Sequence, residues 1–410
     1  MPDPDSPPPE CADKRPHDYP IGSATATPSS PTRMRQLIVN RITKDGPLPF
    51  PDFMATALYH PDLGYYAREP CQVGRRGDFF TSVSTGPLFG TVLARRFAAE
   101  WDALGKPESW RLLELGAHDA TLATDILTAL HQTAPEAAAT VEYAISEPLP
   151  RLREIQRQTL SPFPNIRIVE HPDSLASHPL PGIAFGNEVL DALPFHLVEF
   201  RANTWHQLLV THSDDHLSFE SRPITAAQPA LTDALAPLGT NFPDGYRTEV
   251  RTNTTSFLQP VTRALTRGTM IWLDYGFART ELHHPDRTKG TLRTFSRHRA
   301  ADNPLDSPGS LDITAHVDFT ATAEAARALG TTPTLFETQS AWITRLARPL
   351  LLEMEGNPNP DFLRQFQTLT HPAQLGSRFH ILEISLDPAA TPSDPATLNH
   401  RLNLNPESNR

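Results

Sequence analysis

One stretch limits what this chain can fold into. Residues 111–122 run Arg111, Leu112, Leu113, Glu114, Leu115, Gly116, Ala117, His118, Asp119, Ala120, Thr121, Leu122. The first five read as a short buried strand and Gly116 as a tight turn. Leu122, Ile126, Leu127 and Leu130 then mark the apolar face of a helix. A strand that passes through a turn into a helix N-terminus is where α/β proteins bind nucleotide-like ligands, because free backbone N–H groups and the helix dipole converge there. Glu114 adds a carboxylate beside the turn. Nucleotide loops usually carry two or three glycines so that backbone and ligand approach closely. This one has Gly116 alone, with His118 and Ala120 in the later slots. On its own the stretch fits a cofactor loop and an ordinary strand–helix turn equally.

The surrounding pattern alternates. After Arg111 come a helix to about Thr133, a strand Val141–Ser146 ending at Glu147, and a helix through Leu152, Ile155 and Leu160. Further strands read at Ile166–Val169, Gly182–Asn187 and Thr269–Asp274, with a last one at His380–Ile384. Alternation of this kind argues for an α/β chain with a parallel, Rossmann-like sheet. Ligands of such sheets sit beyond the carboxyl ends of the strands. Those ends are polar here: Glu114 to Gly116, Ser146-Glu147, Asn187-Glu188 and Asp274 to Gly276. Upstream, helices are expected from about Thr32, over Phe53–Tyr59 and over Leu88–Leu104. An insertion of short antiparallel strands is expected at about 195–255, and a helix at Phe319–Leu329. Residues 280–315 are polar and long for a connection, which marks a functional or disordered loop. The domain reading is a Pro-rich disordered tail at 1–30, a helical extension at 31–105, the main domain at 106–386 and a mobile tail at 387–410.

Bulk properties exclude several classes. With 36 Lys and Arg against 47 Asp and Glu, the net charge is −11, which disfavours general nucleic-acid binding. Cys11 and Cys71 form no disulfide framework. No apolar run spans a bilayer, so no membrane insertion is expected. The acidic, Pro-rich N-terminus resembles neither a secretory nor an organelle signal, and the expected location is the cytoplasm.

Several residues could carry chemistry. Glu147 closes the second strand, where an acid accepts hydrogen bonds from ribose hydroxyls; the plain alternative is a carboxylate at a helix N-terminus. Asn187, Glu188 and Asp191 could orient a cationic substrate group or cap a helix. His316 and Asp318 could form a base pair for catalysis, or His316 could be a surface histidine near a helix start. No spacing suggests a metal site, and neither a Gly-x-Ser-x-Gly elbow nor a phosphate loop is present.

Five ordered segments then resemble a known family. Leu58 to Tyr66 with Gly77 to Ser82 is the first. Glu114-Leu115-Gly116 with Thr121 to Leu127, Asn187 to Pro194, and Leu273 to Gly276 follow. Gly290 to Phe295 with Asp312 to Phe319 closes the set. Together they look like the MidA-like methyltransferases, relatives of a mitochondrial complex I assembly-factor arginine methyltransferase. The resemblance implies a seven-strand class I methyltransferase sheet and S-adenosylmethionine as cofactor. It implies cofactor contacts at Glu114, Gly116, His118 and Glu147, with Gly77, Asp78 and Thr81 near the methionine end. Asn187, Glu188 and Asp191 would line the acceptor side, and a protein arginine would be the substrate. The family's loop usually reads Glu-x-Gly-Pro-Gly-x-Gly-Thr-Leu, so His118 and Ala120 replace glycines. That departure keeps a second reading open, a non-catalytic assembly or binding protein on the same fold. A nicotinamide-dependent oxidoreductase shares the sheet but needs a multi-glycine loop.

Overall fold

The computed structural model describes residues 30–68, 81–213, 216–296, 299–301, 303–355, 357 and 359–404. The Pro-rich stretch 1–29, together with Gly77 and Asp78, lies outside the described residues.

The centre is a sheet of seven strands: β1 Trp110–Leu115, β2 Val141–Ser146, β3 Ile166–Val169, β4 Leu180–Asn187, β5 Leu265–Phe277, β6 Thr332–Thr338 and β7 Phe379–Ser385. Their spatial order is β3-β2-β1-β4-β5-β7-β6. β1 to β5 are parallel, and β7 runs antiparallel to both of its neighbours. The first strand is buried along its whole length, because helices cover both faces. Leu112 faces one apolar core and Leu113 with Leu115 the other. A reversal of strand order beside β1 opens a crevice at the carboxyl ends of β1 and β4.

Four helices precede or follow β1: α1 Ser30–Asp45, α2 Phe50–Tyr59, α3 Leu88–Ala103 and α4 Thr121–Thr133. In α3 the spacing of Leu88, Val92, Leu93, Phe97 and Trp101 buries one face, as its sequence pattern requires. α1 and α2 pack elsewhere. Met34, Ile38, Phe50 and Phe53 share a core with Phe195, Leu208 and Val210 of the insertion. The insertion is a five-stranded antiparallel sheet in which Thr204–Ser213 pairs His196–Arg201, His216–Pro223 and Leu48–Pro49. Tyr246–Val250 completes it beside His196–Arg201. Extension and insertion, separate in sequence, therefore form one apolar unit above the main sheet.

Three expectations change. The polar segment after β5 is ordered by short strands, Arg293–Ser296, Arg299–Ala301 and Asp312–Thr314, and buries Thr291, Leu305, Leu311 and Ile313. Gly276 lets this segment return: a Cβ there would lie 2.2 Å from the Val317 carbonyl oxygen, so only glycine admits the Val317–Asp318 pairing with β5. The stretch from Asp387, expected to be a mobile tail, carries the helix Pro395–Arg401 and buries Leu398, Leu402 and Leu404 against the sheet. Leu398 and Leu402, one helical turn apart, with Leu404 just beyond the helix, bury enough apolar surface to fix a short polar-looking segment. β6 and the helix Gln339–Glu353 had no sequence reading, because Pro333 and Pro349 interrupt their patterns, and the helix Pro360–Thr370 had none either.

Candidate active site

The loop after β1 holds an unusual backbone. Gly116, His118 and Ala120 all take positive φ, at 70°, 47° and 65°. Left-handed backbone is free for glycine and costs about 1–2 kcal/mol for a residue with a Cβ. The loop thus keeps the conformation of a multi-glycine turn with two side chains in place of glycines. Asp119 Oδ1 accepts the Thr121 N–H at 3.0 Å at the start of α4. Burial would raise the Asp119 pKa, but hydrogen bonds from His118 and Thr121 win and hold it at about 2.

Two acids flank this loop. Glu114 lies in β1, 3 % exposed, and Tyr143 on β2 donates to its Oε2 at 2.7 Å. Burial pushes Glu114 up to about 7 against that hydrogen bond. Glu147 follows β2. Its Oε1 accepts the Leu149 N–H at 3.0 Å and its Oε2 the Gln156 side chain at 3.3 Å. Burial raises it too, opposed by those two bonds. Gln156 also donates to the His118 carbonyl at 3.0 Å, so one fully buried amide ties the loop to the acid at the end of β2. The only signal for Gln156 in the sequence is a polar residue on the buried side of the helix Pro150–Thr159.

The end of β4 lies against the same loop. A Cβ on Gly116 would come within 2.8 Å of Val189 Cγ2, so the β1 turn and the β4 turn touch. Glu188 takes φ 54°, a strained conformation of the kind found at sites. Asn187 donates to its Oε1 at 3.2 Å. Asp274, at the end of β5, accepts the N–H groups of Val189, Leu190 and Asp191 at 3.1, 2.9 and 3.2 Å and so shapes the turn. Tyr275 donates its hydroxyl to Asp191 Oδ2. Arg251 reaches in from the insertion and clamps the Asp191, Ala315 and His316 carbonyls at 2.8, 2.9 and 3.0 Å. Burial and the neighbouring Asp191 push Glu188 up to about 8; burial raises Asp191, opposed by Tyr275 and Arg251.

Other candidates separate from this cluster. Thr81 exchanges hydrogen bonds with Ser84, at 3.2 and 3.3 Å. Asp318 does not pair with His316. It caps the helix Phe319–Ala328 and faces Arg279 and His283. His316 is no surface residue: it packs between the rings of Tyr275 and Phe277 at 5.5 and 5.3 Å. Desolvation and nearby arginines lower it to about 4, which keeps it neutral at pH 7. His60 Nδ1 accepts turn N–H groups from Asp62 and Leu63. A cavity of about 130 Å³ lies beyond Arg251, lined by Leu193, Glu249, Arg279, His283 and Glu324; its Arg279 and His283 already have partners in Glu324 and Thr248. Sequence reasoning missed Arg251, Tyr275 and Gln156 as site residues.

Comparison with known proteins places this geometry. Residues 92–336 match a family described as "putative S-adenosyl-L-methionine-dependent methyltransferase". The chain is 27% identical over 399 residues to the Drosophila melanogaster protein arginine methyltransferase NDUFAF7 homolog, mitochondrial, covering 90% of this chain and 88% of that protein. Against the human NDUFAF7 the identity is 27% over 382 residues, covering 86% and 83%. A crystal structure of a Burkholderia thailandensis protein bound to S-adenosyl-homocysteine is 32% identical, with a TM-score of 0.77, covering 88% of this chain and 94% of that one. The cytoplasmic expectation is corrected by the fly and human relatives, which are named as mitochondrial proteins. No helix among the described residues is long and apolar enough to cross a membrane. The left-handed turn at residues 116–120, the buried Glu147 and the match over most of the sheet agree: the chain belongs to the S-adenosylmethionine-dependent methyltransferase family, and S-adenosylmethionine is its cofactor.

Proposed function

We propose that this methyltransferase transfers its methyl group to an arginine side chain of a protein. The observation that carries the reading is Asp191 Oδ1, buried with no hydrogen-bond partner beside Glu188, whose carboxyl is held well above its ordinary range. Buried acceptors without donors await a group rich in N–H. A guanidinium offers five, in a planar fork that matches carboxylates. Two of the similar proteins named above, from fly and human, are called protein arginine methyltransferases, which supports the same acceptor.

The residues present fit the cofactor: a left-handed turn meeting a helix N-terminus, with an acid at the next strand end. S-adenosylmethionine, when bound, supplies an electrophilic methyl group on a sulfonium. Gly116, His118 and Glu114 would line its side of the crevice, and Glu147 would accept from ribose hydroxyls. Thr81 would stand toward its methionine end; Gly77 and Asp78, which the resemblance also assigns there, lie outside the described residues. Glu188 and Asp191 would grip the guanidinium, with Asn187 fixing Glu188, and a cation entering there ionises Glu188. An alkylated guanidinium nitrogen sheds one proton, and Asp191 Oδ1 is placed to take it while Tyr275 holds the other oxygen. Residues 106–386 would form the catalytic unit. The extension 31–105 and the insertion near 195–255 would wall the acceptor side, facing a protein rather than a nucleic acid.

The test is product identity. Purified protein with methyl-labelled S-adenosylmethionine and arginine-bearing peptides should yield methylarginine on acid hydrolysis. Asp191→Asn and Glu188→Gln should each lower turnover by about 10²-fold or more. Label on lysine or on carboxyl groups would overturn the acceptor assignment.

A further inference from the structure

The helix Pro150–Thr159, which follows Glu147, buries two side chains: Leu152 and, one turn further on, Gln156. An inward helix face normally carries apolar residues, yet Gln156 is fully buried there. Its amide nitrogen donates to the His118 carbonyl at 3.0 Å and to Glu147 Oε2 at 3.3 Å. Both partners are acceptors, so the nitrogen and not the oxygen must face them. His118 belongs to the turn after β1 and Glu147 follows β2, so this one side chain spans two segments of the cofactor crevice.

We infer that Gln156 is a positioning residue of the cofactor site: it locks the orientation of the Glu147 carboxylate, and that lock lets the acid select a ligand with a ribose diol. The inference rests on the reading of Glu147 as the ribose acceptor and adds what makes that acid selective.

Three observations carry it. First, the carboxylate is held at both oxygens, Oε1 by the Leu149 N–H at 3.0 Å and Oε2 by Gln156. With one donor alone the group could turn about its last bond, a broad and soft torsion; with a donor on each oxygen it cannot. Each oxygen keeps a second lone pair, and a diol on adjacent carbons offers one hydroxyl to each. Second, the Leu149 bond is local, two residues along the chain, whereas the Gln156 bond comes from nine residues away and reaches the turn after β1 as well. Burial raises Glu147, and the Gln156 bond is among those that oppose it, so the same donor favours the charged form that accepts from hydroxyls. Third, Gln156 Oε1 is buried with no hydrogen-bond partner. An unpaired buried oxygen is destabilising, and an apolar side chain would not carry that cost, so the value of the amide lies in its nitrogen. The structural alternative is that Gln156 only satisfies the His118 carbonyl and pins the left-handed turn.

The two roles separate by calorimetric titration of the full chain with S-adenosyl-homocysteine and with its 2′,3′-dideoxy analogue, which keeps the base, the sugar ring and the amino-acid part but lacks both hydroxyls. The unaltered protein should prefer the diol by about thirtyfold or more. Glu147→Ala should bring that preference close to unity. Gln156→Met, which keeps the length and lacks the donor, should cut the preference by about fivefold or more through weaker binding of S-adenosyl-homocysteine. A pin of the turn would weaken both probes alike. If Gln156→Met keeps the preference, or weakens both probes equally, Gln156 only pins the turn and the inference fails while the ribose reading stands. Should Gln156→Met not fold, Gln156→Leu takes its place, and an unchanged preference there overturns the inference equally. If the unaltered protein shows no preference, or Glu147→Ala keeps it, the ribose reading of Glu147 fails and this inference falls with it.

Discussion

The two ends of the central sheet treat buried charge in opposite ways. At the amino ends of the strands, Arg111 is fully buried, and its guanidinium is met by Glu142 at 2.7 Å and by the Ala264 and His178 carbonyls at 2.7 and 3.0 Å. At mid-sheet on β7, opposite Ile271 of β5, Glu383 is likewise matched and accepts two bonds from Arg96 and one from Trp342. Burial alone would raise Glu383, but Arg96 and those bonds hold it below its ordinary value. At the carboxyl ends Glu188 and Asp191 are raised, Asp191 Oδ1 and Asn187 Oδ1 lack partners, and the Arg251 guanidinium gives its hydrogen bonds to carbonyls. A charge that stabilises the fold is matched inside the protein; a charge that serves a ligand is left short of partners. Backbone conformation does not follow the contrast: positive φ on residues with a Cβ occurs at His118, Ala120 and Glu188 on the carboxyl side and also at Lys106 and Asn165, just before β1 and β3.

Substitutions at the two ends should therefore diverge. Arg111→Ala removes the partner of Glu142 and of two carbonyls, and should lower unfolding free energy by about 3–5 kcal/mol. Asp191→Asn should cost less, about 1–2 kcal/mol, because Arg251 keeps its three carbonyl hydrogen bonds and loses only its through-space attraction to that carboxylate. Urea denaturation of both variants decides. Equal losses would mean that Asp191 belongs to the scaffold.

The pH dependence of stability should carry opposite signs at the acids left without a cation and at the acid matched by one. Glu188 and Glu114 are raised to about 8 and about 7 from an ordinary 4.5, so the folded chain holds protons there that the unfolded chain has released. Their favourable contribution is full below about pH 4.5 and is lost as pH rises through 7 and 8. Glu383 is lowered, so its contribution is present above the ordinary value and is lost only as pH falls through its folded value. Glu188→Gln should flatten the decline above neutral pH in thermal melts, whereas Glu383→Gln should lower stability at neutral pH and reduce the loss on acidification. A Glu188→Gln slope equal to that of the unaltered chain would show that Glu188 is not held up by its surroundings.

The smallest expected effect lies in the cofactor turn. His118→Gly relieves a left-handed residue but adds chain entropy, so stability should rise by only about 0.5–1 kcal/mol. Affinity for S-adenosyl-homocysteine should change by less than about threefold. A much larger gain in affinity would mean that the imidazole obstructs the crevice.

Much of the sheet was legible because its signals are local. The apolar run ending at Glu114, the turn at Gly116 and the periodic leucines of α4 are contiguous, and β2, β3, β4 and β5 repeat the same grammar. Acids at the strand ends were visible for the same reason. The edge strand β6 was not, because Pro333 and alternating threonines weaken its pattern and its pairing to β7 spans dozens of residues. Arg251 could not be found at all: its meaning comes from carbonyls at 191, 315 and 316.

By itself the sequence determined the succession of β1 to β5 and β7 with the helices after β1 and β2, and the polar character of the strand ends. Hydrophobic periodicity and turn chemistry act over a few residues, so they can be read along the chain. Tertiary structure alone decided that His118 and Ala120 take the backbone of glycines, that Asp318 caps a helix away from His316, and that Asp191 keeps a buried oxygen without a partner. Each of these depends on groups brought together from distant parts of the chain, whose separation in sequence carries no trace of their distance in space.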